Sequence, residues 1–252
     1  MATLPSPKVL REYYEGKGAR LDDLALTYEH PNWYKKWFYR TRSSAVLESL
    51  DPRPEDRILD VGAGPGYYSR YIHSKGASAV ALDLASSCLR QASSGPIGGW
   101  AVWGTADSLP FRGSSFSKVL ATEVIEHTLN PWKVVSEIAR VLMADGVAVI
   151  SSPSSKSYMD WLYRVKRQFY SYHFNEHLWE FTPETLCALV EEQLDVLDIT
   201  FANCLVPFPL DSFVMRLPPD AFRSLDRIER LFRAGRGGRR FGWTVVVRAK
   251  KR

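Results

Sequence analysis

The chain has 252 residues, 45% apolar and 24% charged, with a formal net charge of +5. Such a length and composition suit one substantial α/β core with an appended element. They exclude a disulfide scaffold, because Cys88, Cys187 and Cys204 are few, odd in number and not spaced for metal. No apolar run approaches the roughly 18 residues of a membrane span, and the opening Met-Ala-Thr-Leu-Pro-Ser-Pro carries no apolar signal segment, so a soluble, cytoplasmic protein with reduced thiols is expected.

In chain order, residues 8–50 read as helices divided near His30-Pro31, the second crowded with Trp33, Tyr34, Trp37, Phe38 and Tyr39. Residues 1–50 are assigned to an N-terminal helical cap. Its aromatics form either a lid bordering a site, with Tyr28 or Tyr34 facing a cation, or the apolar face of a helix packed on a sheet. Strand over 57–61, helix over 66–75, strand over 79–83, helix over 86–93 and strands over 100–103 and 117–122 follow. Then come a helix over 131–143 and strands over 146–151, 194–202 and 241–249. This alternation predicts a largely parallel sheet with right-handed crossovers, an α/β fold. Residues 51–252 are read as one domain carrying insertions at about 152–182 and 203–240.

The most informative stretch is Ile58-Leu-Asp-Val-Gly-Ala-Gly-Pro-Gly66, a short apolar strand running into a glycine-rich turn and then a helix. Gly62, Gly64 and Gly66 tolerate positive φ and let backbone amides approach a ligand, while the helix aims free N–H groups at it. Seventeen residues past Gly66 the second strand ends in Asp83, a carboxylate suited to a ribose diol at the strands' carboxyl ends. The spacing is G-x-G-x-G and not the G-x-G-x-x-G of dinucleotide sites.

Preceded by Asp60, the loop resembles motif I of the class I S-adenosylmethionine-dependent methyltransferases. The run Asp107-Ser-Leu-Pro-Phe111, then Glu123-Val-Ile-Glu126-His127, then Arg140-Val-Leu-Met-Ala-Asp-Gly146 is similar to their small-molecule branch, and to the ubiquinone- and menaquinone-biosynthesis enzymes in particular. Ser117 stands where that branch usually has Asp. The resemblance implies a Rossmann-like, doubly wound seven-stranded sheet, mostly parallel with an antiparallel last strand, and S-adenosylmethionine as cofactor. It implies cofactor contacts from Asp60, Gly62, Ala63, Gly64, Gly66, Asp83, Leu84, Ala106, Asp107, Ser108, Glu123 and Tyr28, with Asp107 at the adenine amino group. The implied activity is methyl transfer to a quinone-, lipid- or metabolite-like acceptor, foremost at oxygen. Methylation of RNA or protein and cofactor binding without catalysis are the alternatives.

His127 and Glu123 are the catalytic candidates. His127 lies just past the fourth strand with an imidazole suited to proton removal near neutral pH. If the turn is helical, Glu123, Glu126 and His127 share a face and could hold a divalent metal; a merely structural loop is the third reading, and no resident metal is expected. His173-Phe-Asn-Glu176-His177 matches H-x-x-E-H formally, but it immediately precedes a helix start at Thr182-Pro183, which argues against a zinc peptidase. The stretch His177-x-Trp-x-Phe-Thr-Pro-Glu-x-Leu186 resembles the segment that follows strand five in small-molecule methyltransferases, which implies that His177 faces the substrate.

Two segments bear on partners. Tyr158, Trp161, Leu162, Val165 and Phe169 recur at helical spacing among Arg164, Lys166 and Arg167. Residues 157–170 therefore pack on the domain, touch a membrane surface or meet a protein. From Arg227 to Arg252, ten Lys/Arg against Glu229 give +9, so +5 less +9 leaves −4 for the remainder. Arg227, Arg230 and Arg233 are predicted to form one basic stripe, either a solvated face or an anion-binding one. Nucleic acid is not expected as the partner, since no Asn/Asp-Pro-Pro-aromatic motif follows the fourth strand.

Overall fold

The computed structural model describes residues 5–18, 33–93, 100–155, 157, 177–205, 219–233 and 241–252. The strands are β1 Arg57–Val61, β2 Ser78–Asp83, β3 Ala101–Trp103, β4 Phe116–Thr122, β5 Leu142–Pro153, β6 Leu194–Ala202 and β7 Thr244–Lys251. They form one sheet in the order β3-β2-β1-β4-β5-β7-β6. β1 pairs in parallel with β2 and β4, β2 with β3, and β4 with β5, whereas β7 runs antiparallel to both β5 and β6. The doubly wound α/β reading with an antiparallel last strand therefore holds. The described helices are α1 Pro7–Gly18, α2 Trp33–Leu50, α3 Tyr67–Ser74, α4 Ser86–Ser93, α5 Pro131–Val141, α6 Pro183–Glu191 and α7 Pro219–Arg233, with a 3₁₀ turn at Ile125–His127.

The central strands are apolar on both faces because both are covered. Leu59, Val61, Val119, Ala121 and Ile150 point to a layer that includes Val134, Val135 and Ile138 of α5 and Leu186, Leu189 and Val190 of α6. The alternate residues Ile58, Leu120, Val149 and Val246 meet Ala45, Val46 and Leu50 of α2 and Ile72 of α3. Ala45, Val46, Leu47 and Leu50 of α2 thus pack on the sheet. No helix among the described residues is long and apolar enough to cross a membrane.

Local signals explain where the elements begin. Asn130 caps α5 by accepting from Lys133 N, with Pro131 in the first turn. Thr182 and Thr185 cap α6 reciprocally, as the Thr-Pro pair predicts. The sequence overextends α5 to 143: Ser114 N and Ser115 N take the carbonyls of Arg140 and Val141, and Leu142 already pairs with Phe116 in the sheet. β7 begins at Thr244, three residues later than 241.

The basic stripe also needs correction. Arg233 turns inward, 7% exposed, donating to Thr41 O at 2.6 Å and lying 3.4 Å from Glu48. Arg227 and Arg230 remain exposed.

Candidate active site

After β1 the chain winds to β2 and β3, then returns to β4 on β1's other side, so the segments leaving β1 and β4 part at a switch point. There lies a cavity of about 430 Å³, whose walls include Gly62, Leu82, Asp83, Leu84, Ala106, Asp107, Glu123 and His127. The cavity size falls in the usual range for small-ligand sites.

Gly62, Gly64 and Gly66 all take the left-handed conformation, with φ of 67°, 53° and 79°. A Cβ on Gly62 would sit 2.3 Å from Val124 Cγ2, whereas one on Gly64 would meet nothing within 4 Å. Gly62 is therefore required by packing of the loop against the β4 exit, and Gly64 is favoured by its left-handed φ alone. Ala63 N donates to Leu82 O, and Gly66 caps α3.

Asp83 is tied to the same loop: its carboxylate accepts from Gly64 N and Ala85 N, each at 2.8 Å. Burial raises its pKa against these favourable bonds. Asp60 lies behind the loop, 1% exposed, accepting from Ser69 Oγ at 2.7 Å; burial pushes it up to about 7. It does not line the cavity, and neither do Ala63, Gly64, Gly66 or Ser108. Tyr28 lies outside the described residues, as do His173 and Glu176.

Past β4, Glu123 has a φ of 54°, sparsely populated for a residue with a side chain and common at functional sites. Its carboxylate is held by Arg42 Nη1 at 3.2 Å and Ser151 Oγ at 3.1 Å. Burial raises the Glu123 pKa, with Arg42 opposing. This placement overturns the shared helical face of Glu123, Glu126 and His127. The 3₁₀ turn starts after Glu123, which points to Arg42. Glu126 and His127 instead converge with His177, their ligand-type atoms all within 4.8 Å of one another.

Glu126 is 1% exposed, and neither of its carboxylate oxygens has a hydrogen-bond partner among the described residues. Burial, reinforced by the Glu123 charge, holds its pKa well above the usual range. His127 Nε2 lies 3.8 Å from Glu126 Oε1. The His127 ring packs edge-on against Tyr14 and against His177, 4.8 Å away by centroid. Leu178 N and Trp179 N both donate to Glu126 O, holding the segment around His177 against the turn. Among the described residues, these three side chains are the group able to ligate a metal.

Three wall residues come from α1: Pro7, Leu10 and Tyr14. α1 is anchored by Glu15, whose carboxylate accepts from Ser86 N at 2.8 Å and Ser87 N at 3.3 Å, capping α4; the Ser86 amide leads in lowering its pKa. Leu10 and Tyr14 lie four apart, a helical spacing visible in the sequence, but nothing local announces that this face covers a cavity. Arg42 was missed too, because no motif surrounds it. Trp37 is buried away from the site, donating to Asp226 on α7.

Residues 59–150 match the family described as a methyltransferase domain. They form a class I S-adenosylmethionine-dependent methyltransferase domain. An uncharacterized methyltransferase from Mycobacterium sp. (strain KMS) is 32% identical over 94 residues, 37% of this chain and 37% of that relative. The malonyl-[acyl-carrier protein] O-methyltransferase of Enterobacter lignolyticus is 27% identical over 118 residues, 47% of each. Each match thus spans less than half of the relative's own length. Over the whole fold, the methyltransferase in complex with the Trm112 activator of Haloferax volcanii superposes with a TM-score of 0.66 at 18% identity, covering 96% of this chain and 97% of that one. The methyltransferase domain supplies the cavity's Gly62, Asp83, Asp107, Glu123 and His127, and residues outside it supply α1 and His177.

Proposed function

We propose that this chain transfers a methyl group from S-adenosylmethionine to a small-molecule acceptor, at oxygen. The observation that carries the reading is His127 on the wall of the same cavity as Asp83 and Asp107, with the imidazole 3.8 Å from a buried carboxylate. The cofactor fits the residues present: Gly62 lines the cavity at the glycine turn, Asp83 offers a carboxylate at the end of β2 for the ribose, and Asp107 an acceptor for the adenine amino group. Glu123, oriented by Arg42 and Ser151, would hold the methionine ammonium. When bound, the cofactor supplies a methyl group already activated on sulfur.

The remaining tasks fall to the chain's own side chains. α1 roofs the cavity with Pro7, Leu10 and Tyr14, which keeps water from the reacting centre. His127 takes the proton of an acceptor hydroxyl, and the Glu126 carboxyl group beside it favours the imidazolium when ionised and orients the ring in either state. The oxygen acceptor accords with the malonyl-carrier O-methyltransferase among the relatives.

The test is calorimetric titration with S-adenosylmethionine and S-adenosylhomocysteine, with NADH as control, followed by release of S-adenosylhomocysteine across a panel of phenols and carboxylic acids. His127→Ala should leave cofactor affinity intact and lower turnover by about 10²- to 10⁴-fold, the usual contribution of a general base. Binding of NADH alone would refute the cofactor assignment, and unchanged turnover in His127→Ala would refute the base.

A further inference from the structure

The segment between β3 and β4 supplies four wall residues of the cavity, Gly104, Thr105, Ala106 and Asp107, and has no helix or strand of its own. Its entry is tied to β2, because Gly104 N donates to Asp83 O at 3.1 Å. Asp107 carries its carboxylate on a single methylene, so the carboxylate moves with the backbone. The exit of the segment is held from α5. Arg140 and Glu137, one turn apart, pair through Nε to Oε1 at 2.6 Å and Nη2 to Oε2 at 2.8 Å. Both also reach the segment. Glu137 Oε2 accepts from Leu109 N at 2.7 Å, while Arg140 donates from Nη2 to Leu109 O at 3.0 Å and from Nη1 to Phe111 O at 2.8 Å.

Leu109 is 4% exposed, and a buried backbone N–H and C=O must both be paired. Here two side chains pair them, as a neighbouring strand would. Hydrogen bonds to charged groups are the stronger kind. The planar guanidinium spans one carboxylate and two carbonyls in fixed directions, which an ammonium on a flexible stem cannot. Leu109 lies two residues past Asp107, so slack at the one displaces the other. We infer that Glu137 and Arg140 are positioning residues for the cofactor: by fixing the backbone at Leu109 they set where the Asp107 carboxylate meets the adenine amino group. Neither lines the cavity, so both act through Asp107, and the inference rests on the assignment of Asp107 to the adenine. A pair that served the fold alone would weaken every ligand alike. One that positions Asp107 weakens those ligands that carry an amino group at that place.

The experiment is calorimetric titration of the full chain with S-adenosylhomocysteine and with S-inosylhomocysteine, in which an oxo group replaces the adenine amino group. The parent is expected to prefer the adenosyl ligand by about 10-fold or more, the contribution of a hydrogen bond to a charged group, and Asp107→Ala should abolish the preference. Glu137→Ala and Arg140→Ala should each reduce it to about 3-fold or less through loss of adenosyl affinity, with the inosyl affinity nearly unchanged. Arg140→Ala added to Asp107→Ala should cost no further adenosyl affinity. Arg140→Lys keeps the charge and loses the fork, and should lower the preference even if Arg140→Ala fails to fold. Hydrogen exchange over 104–111 should rise in Glu137→Ala while that of β4 does not, a displacement read in a folded chain without any ligand. If Asp107→Ala loses the preference while the folded α5 variants keep it, the adenine assignment stands and the inference is overturned. It is overturned as well if those variants weaken both ligands equally. If the parent shows no preference, or Asp107→Ala keeps it, the adenine assignment itself fails and the inference falls with it.

Discussion

Replacing Gly62 with Ala probes the junction on which the site is built. The left-handed φ of 67° costs a residue with a Cβ about 1–2 kcal/mol. The added methyl lies 2.3 Å from Val124 Cγ2 and 3.3 Å from Cγ1, so the loop or Val124 must move, an overpacking worth about 1–3 kcal/mol. The sum is about 2–5 kcal/mol, to be read from the urea midpoint at constant m. Val124 sits between Glu123 and the 3₁₀ turn that carries His127, so relief displaces both and should weaken cofactor binding at the same time. Removing the valine methyls separates the two contributions: in Gly62→Ala with Val124→Ala, the steric part vanishes and the backbone part stays. The double-mutant cycle should give a favourable coupling of about 1–3 kcal/mol. A single variant within about 0.5 kcal/mol of the parent, or a coupling near zero, would refute the contact as the reason for glycine at this position.

Two further outcomes follow from the carboxylates. Asp83→Ala should weaken S-adenosylmethionine binding by about 1–3 kcal/mol, through loss of the ribose acceptor and release of Gly64 N; unchanged affinity by calorimetry would remove the ribose assignment. Asp60 is raised to about 7 in the folded protein, so the native state keeps a proton that the unfolded chain has lost, and its contribution to stability declines as pH rises from about 4 to 7. Asp60→Asn removes that decline. Its stability relative to the parent should therefore climb by up to about 4 kcal/mol between pH 4 and pH 8, and a flat difference in denaturant unfolding would contradict the burial argument.

Much of the frame is legible because buried parallel strands read as apolar runs ended by turn residues, as at Ile58–Gly66, and because Thr182-Pro183 and Asn130-Pro131 carry their own caps. Gly62, Asp83 and Asp107 line one cavity because the crossover rule brings strand ends to one edge; the glycine turn and the strand-end carboxylate are visible in the sequence, and Asp107 is singled out by the family resemblance. What escaped depends on long-range contact or on unusual backbone. Arg42 reaches Glu123 across 81 positions, and Tyr14 reaches His127 from a helix with no local motif. Glu123 departs from the helical face because its φ is positive, which no periodicity announces. Arg233 shares the spacing of Arg227 and Arg230, yet finds Thr41 and Glu48 inside. The spacing specifies a stripe, and the tertiary neighbours decide which members reach water.

The position of β7 bears on how the protein is made. It is later in the chain than both strands it joins, yet it lies between them, pairing from Val147↔Lys250 to Pro153↔Thr244 on one side and from Leu194↔Lys251 to Ala202↔Thr244 on the other. A nascent chain that has exposed β1 through β6 therefore carries two strand edges with unsatisfied amides and carbonyls, separated by a gap one strand wide. Until residues 244–251 leave the ribosome, those edges are open to strands of neighbouring nascent chains. Productive folding of this sheet is consequently completed only after translation has passed β7.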